Sequence, residues 1–462
     1  MTIAEKFAAY RSRLDGQRIV LLGLGREGFS TYRFIRQYAP TLPLILADST
    51  PHEDLSEMWR SLSDDHCKFI TGEHYLDALR EATVVFKSPG ISPFQADLQQ
   101  NLTPTAWVTS NTELFFAMSD NPVIGVTGTK GKSTTASLIE QVLKKGTQPP
   151  ILLGNIGLPP LDELQKADAT SIFVAEFSSY QLQDLPYSPH IAVLQDIVPE
   201  HLNWHITFEA YVDAKVNILR HQSAQDMLLY NADSEIATRV SQKSPAKKIS
   251  FGLSSGQATI RDNWLVYENL NITRVADVPL LGRFNLYNVL PAIAIGMEYG
   301  IAPQYIAEAI QGFKSLAHRL ELVAVVNGVH YYDDSLSTIP QATINAIQAF
   351  DTSLVLIAGG YNRGIDYQPL IEAVIEHQDR LRALILFPPT GDIIEHGLGQ
   401  QVKNVPILHP ETMQAAVTHA AEHAISGDVV LMSPASPSYG RFKNYKDRGD
   451  QFKEAVMGLK DV

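Results

Sequence analysis

The chain is short of cysteine, of positive charge and of long apolar runs, and each shortage removes a class of protein. One cysteine, Cys67, stands among 462 residues. No intramolecular disulfide framework can form, and a reducing, cytoplasmic setting is expected. Lys and Arg number 37 against 50 Asp and Glu, for a net charge of −13. An acidic surface repels nucleic acid and anionic lipid, so neither is expected as a partner, although a local nest of backbone N–H groups can still take a phosphate. No apolar run reaches the roughly 18 residues that a membrane span needs. The opening MTIAEKFAAYRSRLDGQ is polar and helical in pattern, without the apolar core of a secretion leader. Low-complexity tracts and short-period repeats are also missing. With 45% hydrophobic and 19% charged residues, the composition is that of a globular protein, and the length calls for about two to four domains.

What is present reads as three α/β blocks with largely parallel sheets, at about 1–110, 111–315 and 316–462. In the first, QRIVLLGLGREGFSTYRFIRQYAPTLPLILADS runs strand, glycine turn, helix, strand. Gly23, Gly25 and Gly28 spell G-x-G-x-x-G, and Asp48 closes the second strand. In this context the motif points to a nucleotide on the helix N-terminus with Asp48 on a ribose or base. The plainer alternative is a tight turn with close helix packing. SIFVAEFSS, HIAVLQDI and DMLLYN are strands of the second block, and GVHYYDDS, LVLIAGG, ALILF and GDVVLMSP of the third.

The second block opens with PVIGVTGTKGKSTTASLIEQVL. Its glycines let successive N–H groups turn inward. Lys132 can reach β- and γ-phosphates, and Ser133 or Thr134 can face magnesium. The strict phosphate-loop pattern would put a glycine at 126, where Val126 stands; Gly125 and Gly128 supply the freedom instead. A lysine and two hydroxyls directly after the glycines exceed what turn chemistry alone requires. Further on, Glu176 ends an apolar strand, where a second magnesium contact would lie, though a solvated carboxylate reads equally well. His201 and His205 in PEHLNWH and Lys215 in YVDAKVNILRH have ordinary structural or solvated readings of their own.

TGTKGKST resembles the ATP loop of the Mur ligase family, the cytoplasmic amide-forming enzymes of peptidoglycan synthesis, and the remaining motifs follow in the order of its glutamate-adding branch. The resemblance implies that Gly128, Thr129, Lys130, Gly131, Lys132, Ser133 and Thr134, with Asn285, Asn288, Arg319 and Asp334, bind ATP. It implies two magnesium ions, held by Ser133, Glu176, His201 and Lys215, the last carbamylated. Lys132, Glu176, His201, Lys215 and Arg319 would be catalytic. Gly25, Arg26, Asp48, Ser49, Ser88 and Gly90 would hold the UDP end of UDP-N-acetylmuramoyl-L-alanine, and Asn155, Ser178, Ser179 and Gln181 its muramoyl end. Thr338, Arg363, Ser438 and Tyr445 would take glutamate, where an arginine suits a carboxylate through its two-pronged pairing. The implied reaction is ATP-dependent ligation of D-glutamate by a monomer, through an acyl phosphate.

Departures from the family pattern are concentrated in the third block. Its usual Asp-Ser-Lys-Ala-Thr-Asn is Asp334-Ser335-Leu336-Ser337-Thr338-Ile339 here, Arg363 replaces a lysine, and Tyr445 replaces a phenylalanine. Together with GREG, KSPGISP and NRGID these resemble a sub-branch that adds L-glutamate, which keeps the L-enantiomer open. Two distant readings also remain. An NAD-dependent oxidoreductase fits G-x-G-x-x-G but leaves the phosphate loop unexplained. An NTP-dependent binding module leaves Glu176, His201 and Lys215 unexplained.

Overall fold

A computed structural model describes residues 1–154 and 158–459. Its strands form three sheets. The first holds five parallel strands in the order Cys67–Thr71, Leu44–Asp48, Ile19–Leu22, Val84–Lys87, Trp107–Thr109. Its near-continuous apolar strands are buried on both faces: Leu21, Leu46 and Phe86 pack on one side, Val20, Leu22 and Val85 on the other. This is the behaviour expected of parallel strands, whose crossover helices cover the sheet.

The second sheet has nine strands. Val123–Thr127 lies between Ile191–Leu194 and Ile172–Glu176, all parallel. Beyond Lys247–Phe251 it changes character, because Ala258–Arg261, Trp264–Tyr267 and Leu270–Arg274 form an antiparallel meander. The third sheet has six strands, parallel except for the hairpin Glu321–Val326 to Val329–Asp333. Alternate residues of its central strands divide between two cores, Leu354, Leu356 and Leu431 in one, Val355, Ile357 and Val430 in the other. The mixed α/β class with mostly parallel sheets is therefore the expected one.

The chain gathers into two compact units. The first comprises Met1–Val278 with Tyr287–Gln311 and contains the first two sheets; the second comprises Pro279–Leu286 with Gly312–Val462 and contains the third. Within the first unit one continuous core joins the two sheets, with Phe115 edge-on to Phe173 at 5.1 Å between ring centroids. No helix among the described residues is long and apolar enough to cross a membrane.

Candidate active site

The glycine-rich loop of the first unit follows the strand Val123–Thr127 and leads into the helix Lys132–Leu143. Gly128 and Gly131 have φ of 153° and 84°, and a Cβ on either would come within 2.4 Å of the Gln195 Cβ or 2.2 Å of the Asn288 Oδ1. Only glycine fits such positions without displacement. Thr129 anchors the loop rather than facing out: its backbone N–H donates to the Asp196 carbonyl (2.8 Å), and its hydroxyl accepts from the Val198 N–H (2.9 Å). Lys130 is exposed and paired with Glu200 at 2.6 Å. Lys132 donates to the Thr129 carbonyl at 3.0 Å, curled over its own loop. Asn288 is held beside the loop, its Oδ1 accepting from the Thr135 hydroxyl at 3.2 Å.

Glu176, the last residue of its strand, is 1% exposed. It accepts a hydrogen bond from Ser133 Oγ at 2.7 Å. A hydroxyl and a buried carboxylate presented together are hard oxygen donors of the kind magnesium takes. The Thr134 hydroxyl is buried nearby without a partner. Lys215, on the helix Phe208–Arg220, is also 1% exposed, and its Nζ donates to the Gly128 carbonyl at 2.7 Å. Burial, then the positive charge of Lys132, drives its pKa well below that of an ordinary lysine. The amine is correspondingly biased toward its neutral, nucleophilic form.

His201 sits in a left-handed conformation (φ 58°) against the rings of Tyr180 and Tyr211. Burial, with Lys132 and Lys215 nearby, lowers its pKa against the opposing pull of Glu200. His205 is fully buried, its Nε2 2.9 Å from Ser179 Oγ. Its pKa falls to about 4 through burial, with Lys215 and His201 nearby, so the ring is neutral at pH 7.

A cavity of about 510 Å³ opens between the carboxyl ends of the first sheet and the loop after Glu176. Gly25, Arg26, Asp48, Ser49, Ser88 and Gly90 line it from one side, Ser178 and Gln181 from the other. Eight of the expected substrate residues thus meet in one place. Ser179 turns inward to His205 instead, and Asn155 lies outside the described residues. Gly23 and Gly28 serve packing: a Cβ at Gly28 would sit 2.2 Å from the Gly23 carbonyl. Gly25 opens onto free space, where a ligand can approach the helix N-terminus. Asp48 is already committed, accepting from the Leu24 N–H (2.6 Å) and the Thr50 N–H (2.8 Å).

In the second unit, Arg319 is carried on a turn between two left-handed residues, His318 (φ 65°) and Leu320 (φ 43°). The turn is pinned on both sides, by His318 Nδ1 to Asp333 (2.7 Å) and by the Leu320 N–H to Asp334 (3.2 Å). Asp334 also accepts from Ser433 Oγ at 2.7 Å, and burial raises its carboxyl to about 6. Asn285 donates to the Leu281 carbonyl. Thr338, Arg363, Ser438 and Tyr445 stand on three loops and the first turn of the helix Tyr445–Gly458. Arg363 is exposed and Ser438 buried.

Residues 126–296 match the Mur ligase middle domain, and residues 318–436 match the Mur ligase glutamate ligase domain. The UDP-N-acetylmuramoylalanine–D-glutamate ligase of Geobacillus sp. (strain WCH70) is 32% identical over 450 residues, covering 96% of this chain and 98% of the relative. The enzyme of the same name from Koribacter versatilis is 33% identical over 455 residues, covering 96% and 98%. The chain belongs to the Mur ligase family. Solved structures carry the same fold. UDP-N-acetylmuramate–alanine ligase of Thermotoga maritima aligns at TM-score 0.61 with 16% identity, over 96% of this chain and 99% of that one. A MurF ligase of Thermotoga maritima in complex with ADP aligns at TM-score 0.61 with 16% identity, over 96% and 95%.

Sequence reasoning missed two side chains of this Mur ligase. Arg448 is 1% exposed. It donates to Ser335 Oγ (2.9 Å), the Ser335 carbonyl (2.8 Å) and the Ser436 carbonyl (2.9 Å). Ser335 Oγ in turn donates to the Tyr445 carbonyl at 2.7 Å, so one guanidinium ties together the segments that carry Thr338, Ser438 and Tyr445. Its position in KNYKDRG gave no signal, since arginines are ordinarily exposed. The second is Glu27, inside the variable part of G-x-G-x-x-G, which lines the 510 Å³ cavity beside Arg26.

Proposed function

We propose that this Mur ligase joins D-glutamate to UDP-N-acetylmuramoyl-L-alanine with ATP, in cytoplasmic peptidoglycan precursor synthesis, acting as a monomer. The observation that carries this reading is the cluster at the phosphate loop: Lys132, the Ser133–Glu176 pair and the buried, depressed Lys215 around one glycine turn. The relatives' names supply the substrates. Residues 1–110 would bind the UDP-sugar, 111–315 ATP, and 316–462 glutamate.

In the proposed reaction the L-alanyl carboxylate attacks the γ-phosphorus of ATP, giving an acyl phosphate and ADP. The glutamate amine then attacks the acyl carbon, and the tetrahedral intermediate expels phosphate. A free carboxylate would have to expel oxide, so phosphorylation supplies the leaving group. The protein's work is positioning and charge neutralisation. Two like charges about 4 Å apart repel by roughly 4 kcal/mol at an effective dielectric of 20, about a thousandfold in rate if unshielded. Lys132 and Arg319 oppose that repulsion. Ser133, Glu176, His201 and Lys215 as its carbamate would hold magnesium, which when bound adds positive charge at the phosphates. The neutral amine favoured at Lys215 is the form that reacts with carbon dioxide.

The same reaction with L-glutamate is the second reading, favoured by the Leu336-Ser337 departure, Arg363 and Tyr445. Incubation with ATP, UDP-N-acetylmuramoyl-L-alanine and each glutamate enantiomer, followed by chiral analysis of the product, decides between them. Product from D-glutamate supports the first, product from L-glutamate alone the second, and amide from neither refutes both.

A further inference from the structure

Glu27 is the second residue of the helix Arg26–Tyr38 and borders the substrate cavity. The residue is half-buried. Oε1 accepts from Gln181 Nε2 at 2.8 Å, whereas Oε2 is buried with no hydrogen-bond partner. Glu27 also lines a second, small void of about 10 Å³ with Thr31, Lys87, Ser88 and Asn111. The Asn111 Oδ1 is likewise buried without a partner, while its Nδ2 donates to Thr31 Oγ1 (3.0 Å) and the Glu27 carbonyl (3.3 Å). A void of that size is at the limit of what one water needs. Two residues lining this void thus carry buried acceptor oxygens without donors, and a proton on the Glu27 carboxyl turns one of those acceptors into a donor.

The charged neighbours do not offset this. Lys87, at the end of its strand, donates to the Ile91 carbonyl (2.9 Å) and also faces Asp184. Arg26 lies on the same helix turn, at the protein surface. Asp48 also lines the cavity and accepts from the Leu24 N–H of the glycine turn and the Thr50 N–H of its own loop. Burial dominates, pushing Glu27 up to about 7 against the opposing pull of Gln181, Lys87 and Arg26. A diphosphate at the N-terminus of this helix would add negative charge beside the carboxyl and favour the neutral acid further.

We propose that Glu27 makes nucleotide-sugar binding proton-coupled: the ligand's diphosphate enters the cavity together with a proton that the Glu27 carboxyl holds. This rests on the nucleotide-sugar reading of the cavity given above. When only the neutral acid binds and Glu27 titrates at about 7 in the free protein, affinity falls about fivefold from pH 7 to pH 8.

The test is calorimetric titration of the full chain with UDP-N-acetylmuramoyl-L-alanine, without ATP or glutamate, in two buffers of different ionisation heat. At pH 8 the wild type takes up close to one proton, and Glu27→Gln takes up none, with affinity flat from pH 7 to 8. The variant separates Glu27 from His201, which titrates nearby against Tyr180 (ring centroids 5.0 Å apart). Infrared difference spectra of the wild type should show a carboxylic-acid carbonyl band growing in on binding, a readout that stands even if the variant fails to fold. Proton uptake unchanged in Glu27→Gln, or a flat wild-type affinity with no such band, overturns the proposal. A wild type that binds no nucleotide sugar at all overturns the functional reading beneath it as well.

Discussion

Replacing Arg448 by methionine should loosen the loops proposed to hold glutamate while leaving the ligands proposed for the first unit alone. The arginine is 1% exposed, and its three hydrogen bonds of 2.8–2.9 Å go to Ser335 and Ser436. Both serines are fully buried, so the change leaves two interior carbonyls without this donor, at about 1–3 kcal/mol each. Asp333 and Asp334 also lose a neighbouring positive charge. Removing a buried cation relieves some desolvation in return, for a net loss of about 3 kcal/mol. At 1.36 kcal/mol per decade that is roughly a hundredfold in local opening. Hydrogen exchange followed by mass spectrometry should show segments 334–339 and 434–439 exchanging that much faster. The KM for glutamate should rise, with those for ATP and the nucleotide sugar nearly unchanged. Lysine should not rescue, because it cannot reproduce the planar fork that reaches both serines. Exchange within about threefold of wild type, together with an unchanged glutamate KM, would show that the guanidinium does not hold these loops.

Three further outcomes are expected. Lys132→Ala should stop phosphate release yet still bind UDP-N-acetylmuramoyl-L-alanine in calorimetry, since Lys132 does not line that cavity; near-normal turnover would remove its role. Wild-type activity should fall in carbon-dioxide-free buffer and recover with bicarbonate, while Lys215→Arg stays inactive in both; an active Lys215→Arg excludes the carbamate. Ile206 has φ 70° and ψ −46° in a tight turn closed by the Thr207 N–H on the His205 carbonyl (2.8 Å), and it is 64% exposed. A β-branched residue there is strained by about 1–2 kcal/mol, so Ile206→Gly should raise the melting temperature by about 2 °C; a lowered one contradicts the strain.

The parallel strands were legible because burial on both faces writes them as continuous apolar runs; Ile19–Leu22, Leu354–Gly359 and Val429–Met432 are of this kind. The phosphate loop was legible because its glycines, lysine and hydroxyls adjoin in sequence. The antiparallel meander from Ala258 was not, since ATIRDNWLVYENLNITR shares its composition with loops and lacks a clean alternation. Nor was the attachment of Pro279–Leu286 to the second unit, which follows from packing rather than local pattern. Arg448 and Glu27 stayed hidden for a related reason. What distinguishes them is burial against segments far away in sequence, Ser335 for one and Gln181 for the other.

The account's central claim is that a carboxylate is activated as an acyl phosphate, and isotope transfer tests it most directly. UDP-N-acetylmuramoyl-L-alanine carrying ¹⁸O in both alanyl carboxylate oxygens is turned over with ATP and glutamate, and the released phosphate is weighed by mass spectrometry. The account predicts one ¹⁸O in each phosphate, carried across when the tetrahedral intermediate expels it. Phosphate free of ¹⁸O alongside normal amide product would contradict it.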